Sequence, residues 1–251
     1  MLKYINSISW SVIASLCFVL VTPAYANEDE PPLPTPVGRV VWIKGTLRAI
    51  MPNKEERILQ KTSIIYEHDE LHTAENSQAQ IVFTDNTLMT FRADTKFYIN
   101  HYEYAIKPDK KTHSVGKYVM DLVEGGFRTI TGLIAKNNPS DYRVNTPVAT
   151  IGVRGTDYTV YVKNGEIYVG YYEGSPCITG GTKQELCLTP TAPYAYIPQG
   201  TSVPVPLTEQ PAVFQEKLEI QSVKITPFAS ASTMEGGRAP SGPITNFCIS
   251  Q

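Results

Sequence analysis

The sequence predicts an all-β fold of short antiparallel strands and hairpins. Three observations carry that expectation. The stretch DYTVYVKNGEIYVGYYEG (157–174) reads as a complete hairpin. Similar β-patterned runs recur roughly every 8–12 residues between Gly, Asn and Asp. No long segment with a 3.6-residue apolar period competes with them.

The chain has 251 residues and opens with MLKYINSISWSVIASLCFVLVTPAYA. Its apolar run from Val12 to Val21 is too short to span a bilayer. Ala24-Tyr25-Ala26 supplies the small-x-small pattern at which a signal peptidase cuts, so residues 1–26 read as a signal peptide with Ala24 and Ala26 marking the cleavage. Leu16, before Cys17, is not the small residue a lipoprotein signal needs. No later stretch reaches about 18 apolar residues, so the mature chain is expected to carry no transmembrane helix.

NEDEPPLPTP (27–36) is acidic and proline-rich and reads as a linker. The β texture runs over 37–200. VGRVVWIKG (37–45) is its first strand-like run, QAQIVFT and TLMTF fold into a hairpin about Asp85-Asn86, and RTITGLIA (128–135) gives another run. In the clearest hairpin, Asn164-Gly165 is a preferred pair for a type I′ turn, whose two central residues take positive φ. Folding there sets Val162 opposite Ile167, Val160 opposite Val169 and Tyr158 opposite Tyr171 on one face. Tyr161 opposite Tyr168, Thr159 opposite Gly170 and Lys163 opposite Glu166 make the other. An apolar face and a mixed one suit a sheet with one buried side. Residues 201–251 read as a largely irregular C-terminal tail, with a short helix predicted in AVFQEKLEIQ (212–221).

Cysteine use fits export. Cys177 and Cys187 bracket ITGGTKQEL, whose Gly180-Gly181 can reverse the chain, and a disulfide between them is expected in an oxidising compartment. Cys248 is left over near the C-terminus.

Charge excludes one class of partner. The formal net charge is −2, from 22 basic and 24 acidic residues without a basic block, so nucleic acid is not expected to bind. Catalytic constellations are also missing from the pattern. HDELH (68–72) departs from the zinc-protease motif by Asp for Glu, and its flanks alternate as strand and turn. In an extended chain, histidines four residues apart stand about 13 Å from each other, too far to share a zinc. A solvated polar turn is expected there, and no metal, cofactor or catalytic residue. His101 and His113 have no recognisable serine or cysteine elbow beside them.

TPVATIGVRGT (146–156) lacks the G-K-[ST] ending of a phosphate loop, and a strand rather than a helix follows it. Gly152 and Gly155 then read as structural positions of positive φ or close backbone approach, at a bend between strands. Arg154 is expected to be partly buried and paired, with Asp121, Glu124, Asp141 or Asp157 as candidate partners. It is also a candidate contact for a partner or ligand.

The stretch MDLVEGGFRTITGLIAKNNPSDYRVNTPVATIGVRGT (120–156) resembles the FecR-like domain of exported bacterial proteins. So does the earlier part, with Gly38, Val40, Gly45, Thr73 and IVFTDNTLMTF (81–91). The resemblance covers roughly 37–200. It implies a solenoid-like or sandwich-like β domain in the periplasm of a Gram-negative bacterium. In the family's best-known members this domain belongs to a transmembrane regulator, which receives a signal from a TonB-dependent transporter and controls a sigma factor. The family is not known for catalysis. Here a cleavable leader stands where that regulator has its cytoplasmic segment and membrane helix, so the character of a binding module is what transfers.

The expectation is therefore a non-enzymatic periplasmic module that docks another envelope protein. It would use an exposed strand edge or the tyrosine-bearing hairpin face, with Tyr161 and Tyr168 as contacts. The alternative is recognition of cell-wall glycan or a small molecule, which predicts a concave cluster among Tyr161, Tyr168, Tyr172, Tyr194 and Tyr196.

Overall fold

The chain weaves between two layers of sheet, A and B. The computed structural model describes residues 34–106, 114–153, 155–181 and 183–222. The leader with Ala24 and Ala26, most of the 27–36 linker, Arg154, Cys248 and the tail beyond residue 222 lie outside the described residues.

β1 (Pro36–Lys44) belongs to A, and β2 (Leu47–Ile50) and β3 (Glu56–Leu59) to B. β4 (Ile64–Tyr66) returns to A and β5 (Glu70–Thr73) to B. β6 (Gln78–Phe83) and β7 (Leu88–Phe91) form a hairpin in A, and β8 (Lys96–Ile106) lies in B. β9 (Ser114–Ile130) serves both layers. A helical turn, α1 (Leu133–Asn137), and a 3-10 turn (Pro139–Asp141) follow it. They lead to β10 (Tyr142–Asn145) and β11 (Ala149–Gly152) in B, then β12 (Asp157–Lys163) and β13 (Glu166–Glu173) in A. β14 (Cys177–Gly180) and β15 (Glu185–Cys187) lie in B, and β16 (Tyr194–Ile197) and β17 (Val205–Leu207) in A.

Among the described residues, the order in A is β4-β1-β6-β7-β9-β12-β13-β16-β17 and in B β3-β2-β5-β8-β9-β10-β11-β14-β15. β9 is thus the middle strand of both. Its first part pairs with β8 in B up to Glu124, and its last part, from Gly125, pairs with β7 and β12 in A. Gly125, at φ +77°, is where the strand changes layer.

The core lies between the layers and is aromatic along its middle. Tyr118 on β9 touches Phe83, Tyr102 and Tyr142 with ring centroids 4.9–5.5 Å apart. Past the kink, Phe127 meets Phe97 and Tyr158 edge-on at 5.7 and 6.0 Å. Edge-to-face contacts of this kind suit the ring quadrupole and add to simple area burial.

The hairpin register is the one expected, with Val162↔Ile167, Val160↔Val169, Tyr161↔Tyr168 and Lys163↔Glu166. Asn164 (φ +53°) and Gly165 (φ +77°) take the turn's two positive-φ positions. The Asp85-Asn86 hairpin also forms, with Val82↔Leu88 and Asn86 at φ +69°.

Three local expectations are corrected. Strand pairing is not wholly antiparallel: β10 runs parallel to β9 (Tyr142↔Tyr118), because residues 131–141 carry the chain back over the fold before it re-enters sheet B. RTITGLIA stops being strand at Ile130, since Asp85 draws the N–H groups of Leu133 and Ile134 into the helical turn α1. The predicted helix at 212–221 is a single 3-10 turn, Ala212–Phe214, followed by a strap laid on sheet A, where side chains of the sheet take its carbonyls.

Cys177 and Cys187 face each other across β14 and β15 and are bonded. Replacing both by serine is expected to lower stability in urea by about 2–3 kcal/mol, since the bond closes a short loop in the unfolded chain.

Candidate functional site

The segment 146–156 is a crossing between layers. The Thr146 hydroxyl donates to the carbonyl of Ala149 at 2.8 Å and accepts its N–H at 3.1 Å, which starts β11 in sheet B. Val153 is buried, and the N–H of Thr156 reaches the Thr131 hydroxyl at 2.8 Å, which starts β12 in sheet A. Gly155 takes φ +59°, and Gly174 packs so closely on it that a Cβ there would stand 2.5 Å from the Gly155 carbonyl oxygen. Gly152 corrects its half of the expectation. It has no positive φ and no atom within 4 Å of a built Cβ, because it sits inside β11 on the open face of the sheet. Three of the four acids considered for Arg154 have partners among the described residues: Asp157 holds Arg128, Glu124 faces Lys96, and Asp121 accepts from Asn145.

HDELH is not merely a solvated turn. His68 is exposed at φ +67°, but Asp69 is buried and accepts from Arg57 at 2.5 Å and from the Tyr66 N–H at 2.9 Å. Burial pushes the Asp69 carboxyl up; the two donors pull it down without cancelling that. Glu70 and His72, two apart on β5 and so on one face, contact each other.

The tyrosine-bearing face of sheet A is the candidate site. In one row across the strands, Tyr161 (β12) lies beside Tyr168 (β13) and then Tyr196 (β16). Tyr168 and Tyr196 stack at 4.8 Å, and both donate to the Glu166 carboxylate. The Arg92 guanidinium sits over the Tyr161 ring at 5.3 Å. In the adjacent row, Thr90, Arg128, Thr159, Gly170 and Tyr194 stand side by side. Arg128 makes a two-pronged pair with Asp157 (3.0 and 2.7 Å) beneath the Tyr172 ring. Burial is the largest influence on Arg128 and works against its charge, but Asp157, joined by Tyr172 and Glu219, holds the guanidinium above its ordinary pKa.

The five tyrosines predicted to cluster do share this face, but they do not leave an open concavity. The strap covers it. Phe214 packs between Tyr168 and Tyr194 and comes within reach of Gly170. Leu218 is buried beside it, and Gln221 exchanges two hydrogen bonds with the Gln80 side chain. Sequence reasoning missed Gln80, Arg92, Arg128, Phe214 and Leu218. The available signal was Phe214 and Leu218, four apart with only polar residues between them.

On the outward face of sheet B, a shallow cleft of about 720 Å³ lies beside the disulfide. Its charged groups among the described residues are Arg143 and Glu185. Glu185 also makes, with Cys177 and Cys187, a grouping of three potential metal ligands, but the two sulfurs are bonded to each other.

The model of the FecR protein family matches residues 69–175. An uncharacterised protein of Treponema pallidum (strain Nichols) is 30% identical over 132 residues, which is 52% of this chain and 17% of that protein. The chain therefore spans about a sixth of that curated relative's length. Two crystal structures of a candidate anti-sigma factor from Parabacteroides distasonis ATCC 8503 align over 56% of this chain and 59% of theirs, at 15% identity and a TM-score of 0.43. No helix among the described residues is long and apolar enough to cross a membrane.

Proposed function

We propose that this protein, whose residues 69–175 match the FecR family model, is a non-catalytic binding module of the Gram-negative periplasm, which docks an envelope protein in a signalling role. The observation that carries this reading is how the polar side chains are spent. The buried Asp69 and Asp85 and the pair Arg128–Asp157 all hold structure together, and among its described lining residues the cleft on sheet B sets no acid/base pair against a nucleophile. Tyr161 and Tyr168, which rim the strap, are the contact residues, together with Arg154. The leader and the disulfide both support an oxidising, exported location.

The test is photo-crosslinking in a Gram-negative host, with a photoreactive phenylalanine analogue at Tyr161 or Tyr168 of the full chain. A single adduct with an identifiable envelope protein is expected, on a chain whose N-terminus is Asn27. A folded, exported chain that gives no adduct from either position would count decisively against docking.

A further inference from the structure

The outward face of sheet A carries a groove running across its strands. Its floor is one row in register, Gly170, Thr159, Arg128 and Thr90, with Gln80 at the far end. A Cβ on Gly170 would stand 3.2 Å from the Phe214 ring, so glycine at that point is what opens the seat. The chain's own residues 214–221 fill the groove. This segment forms no ladder with any described strand. Its main chain is instead read by side chains of the sheet. The carbonyl of Glu216 accepts from Arg92 at 2.7 Å and that of Leu218 from Arg128 at 3.0 Å. The Gln221 N–H donates to the Gln80 side chain at 2.7 Å, and the Gln80 amide donates to the Gln221 carbonyl at 3.0 Å. Phe214 and Leu218 are buried, while Gln215, Glu216, Lys217 and Glu219 point to solvent.

This is the chemistry of peptide recognition: donors aimed at backbone and two apolar seats four residues apart. The donors are also set without help from the segment. Arg128 is fixed by Asp157 and Tyr172 on the sheet itself, and Arg92, one residue past β7, lies against Tyr161. The groove is therefore preorganised and persists when its occupant leaves. We propose that it is a peptide-binding site, and that residues 214–221 are a resident occupant displaced by an extended segment of a protein partner. That segment carries an aromatic residue and an aliphatic one four positions later. The proposal rests on the protein-binding reading above and names its surface.

The test compares the unaltered full chain with the full-chain double variant Phe214→Ser/Leu218→Ser. The probe is a fluorescently labelled peptide, PAVFQEKLEIQS, corresponding to residues 211–222. In anisotropy titrations the variant is expected to bind the probe about tenfold or more tightly than the unaltered chain, whose groove is already filled. Adding Gly170→Val to the variant, or alanine for phenylalanine in the probe, is expected to abolish that binding.

A double variant that melts cooperatively and binds no better than the unaltered chain overturns the proposal. So does a doubled molar mass in light scattering, which means that a second copy fills the groove. Should the double variant not fold, trypsin cleavage after Lys217 in the unaltered chain decides. Cleavage at a rate independent of low urea shows local release of the segment, whereas cleavage that follows global unfolding overturns the proposal. Probe binding without an envelope adduct upholds the groove and counts against docking; an adduct without probe binding does the reverse.

Discussion

Replacing Gly125 by alanine is expected to lower the unfolding free energy by about 3 kcal/mol, measured by urea denaturation. Two costs add. A non-glycine residue at φ +77° carries roughly 1–2 kcal/mol of backbone strain. The new Cβ would also stand 2.5 Å from the Thr95 Cα and hydroxyl and 2.6 Å from the Asp94 carbonyl, and overpacking of this kind costs about 1–3 kcal/mol. Thr95 cannot step aside freely, because its buried hydroxyl accepts the Gly126 N–H at 3.0 Å and lies 3.0 Å from the Arg92 carbonyl, to which it can donate. Alanine at Gly152, where a Cβ meets nothing within 4 Å, is the control and is expected to be nearly neutral. Equal losses at both positions would sink the idea that Gly125 is where the central strand changes layer.

Asp85→Ala is expected to cost about 3 kcal/mol, since it strands several buried donors at once. The carboxylate accepts from the Thr87 N–H at 3.0 Å, the Thr87 hydroxyl at 2.9 Å, the Ile134 N–H at 3.2 Å and the Tyr102 hydroxyl at 3.3 Å. It ties the β6–β7 hairpin to α1 and so fixes the crossover that delivers β10. Burial is the largest influence on this carboxyl and pushes its pKa up from the ordinary 3.8. The folded state then holds the proton more tightly than the unfolded chain, so the group's contribution to stability falls as pH rises from about 4 through the raised folded value. The stability gap between the unaltered chain and Asp85→Ala should accordingly be widest at and below about pH 4 and narrow on going up. A gap that widened with pH would mean that the carboxylate is stabilised in its charged form.

These two residues also show how far the sequence reaches. Asp85-Asn86 announced a turn, because Asn tolerates positive φ between two apolar runs. Nothing local announced that the Asp85 side chain would be fully buried, since its partners Tyr102 and Ile134 lie 17 and 49 residues away. Gly125-Gly126 belonged to the stretch that resembles FecR-like domains, but the demand for glycine comes from elsewhere. Thr95 crowds Gly125, and the Val160 carbonyl would stand 2.3 Å from a Cβ on Gly126. The candidate site divides in the same way. Tyr161 and Tyr168 could be paired from the hairpin register, whereas the strap over them joins residues more than 120 apart in Arg92–Glu216 and Gln80–Gln221.

Taken alone, the sequence determined the strand character, the Asn164-Gly165 hairpin with its register, and the Cys177–Cys187 pair, because period-2 alternation, turn φ requirements and short loop closure all act within about ten residues. The tertiary structure alone decided that β9 is shared by two layers, that β10 returns parallel to it, and that residues 214–221 lie in a groove rather than coil into a helix. Each of those outcomes depends on hydrogen bonds and packing between residues far apart in the chain, and no local pattern encodes their meeting.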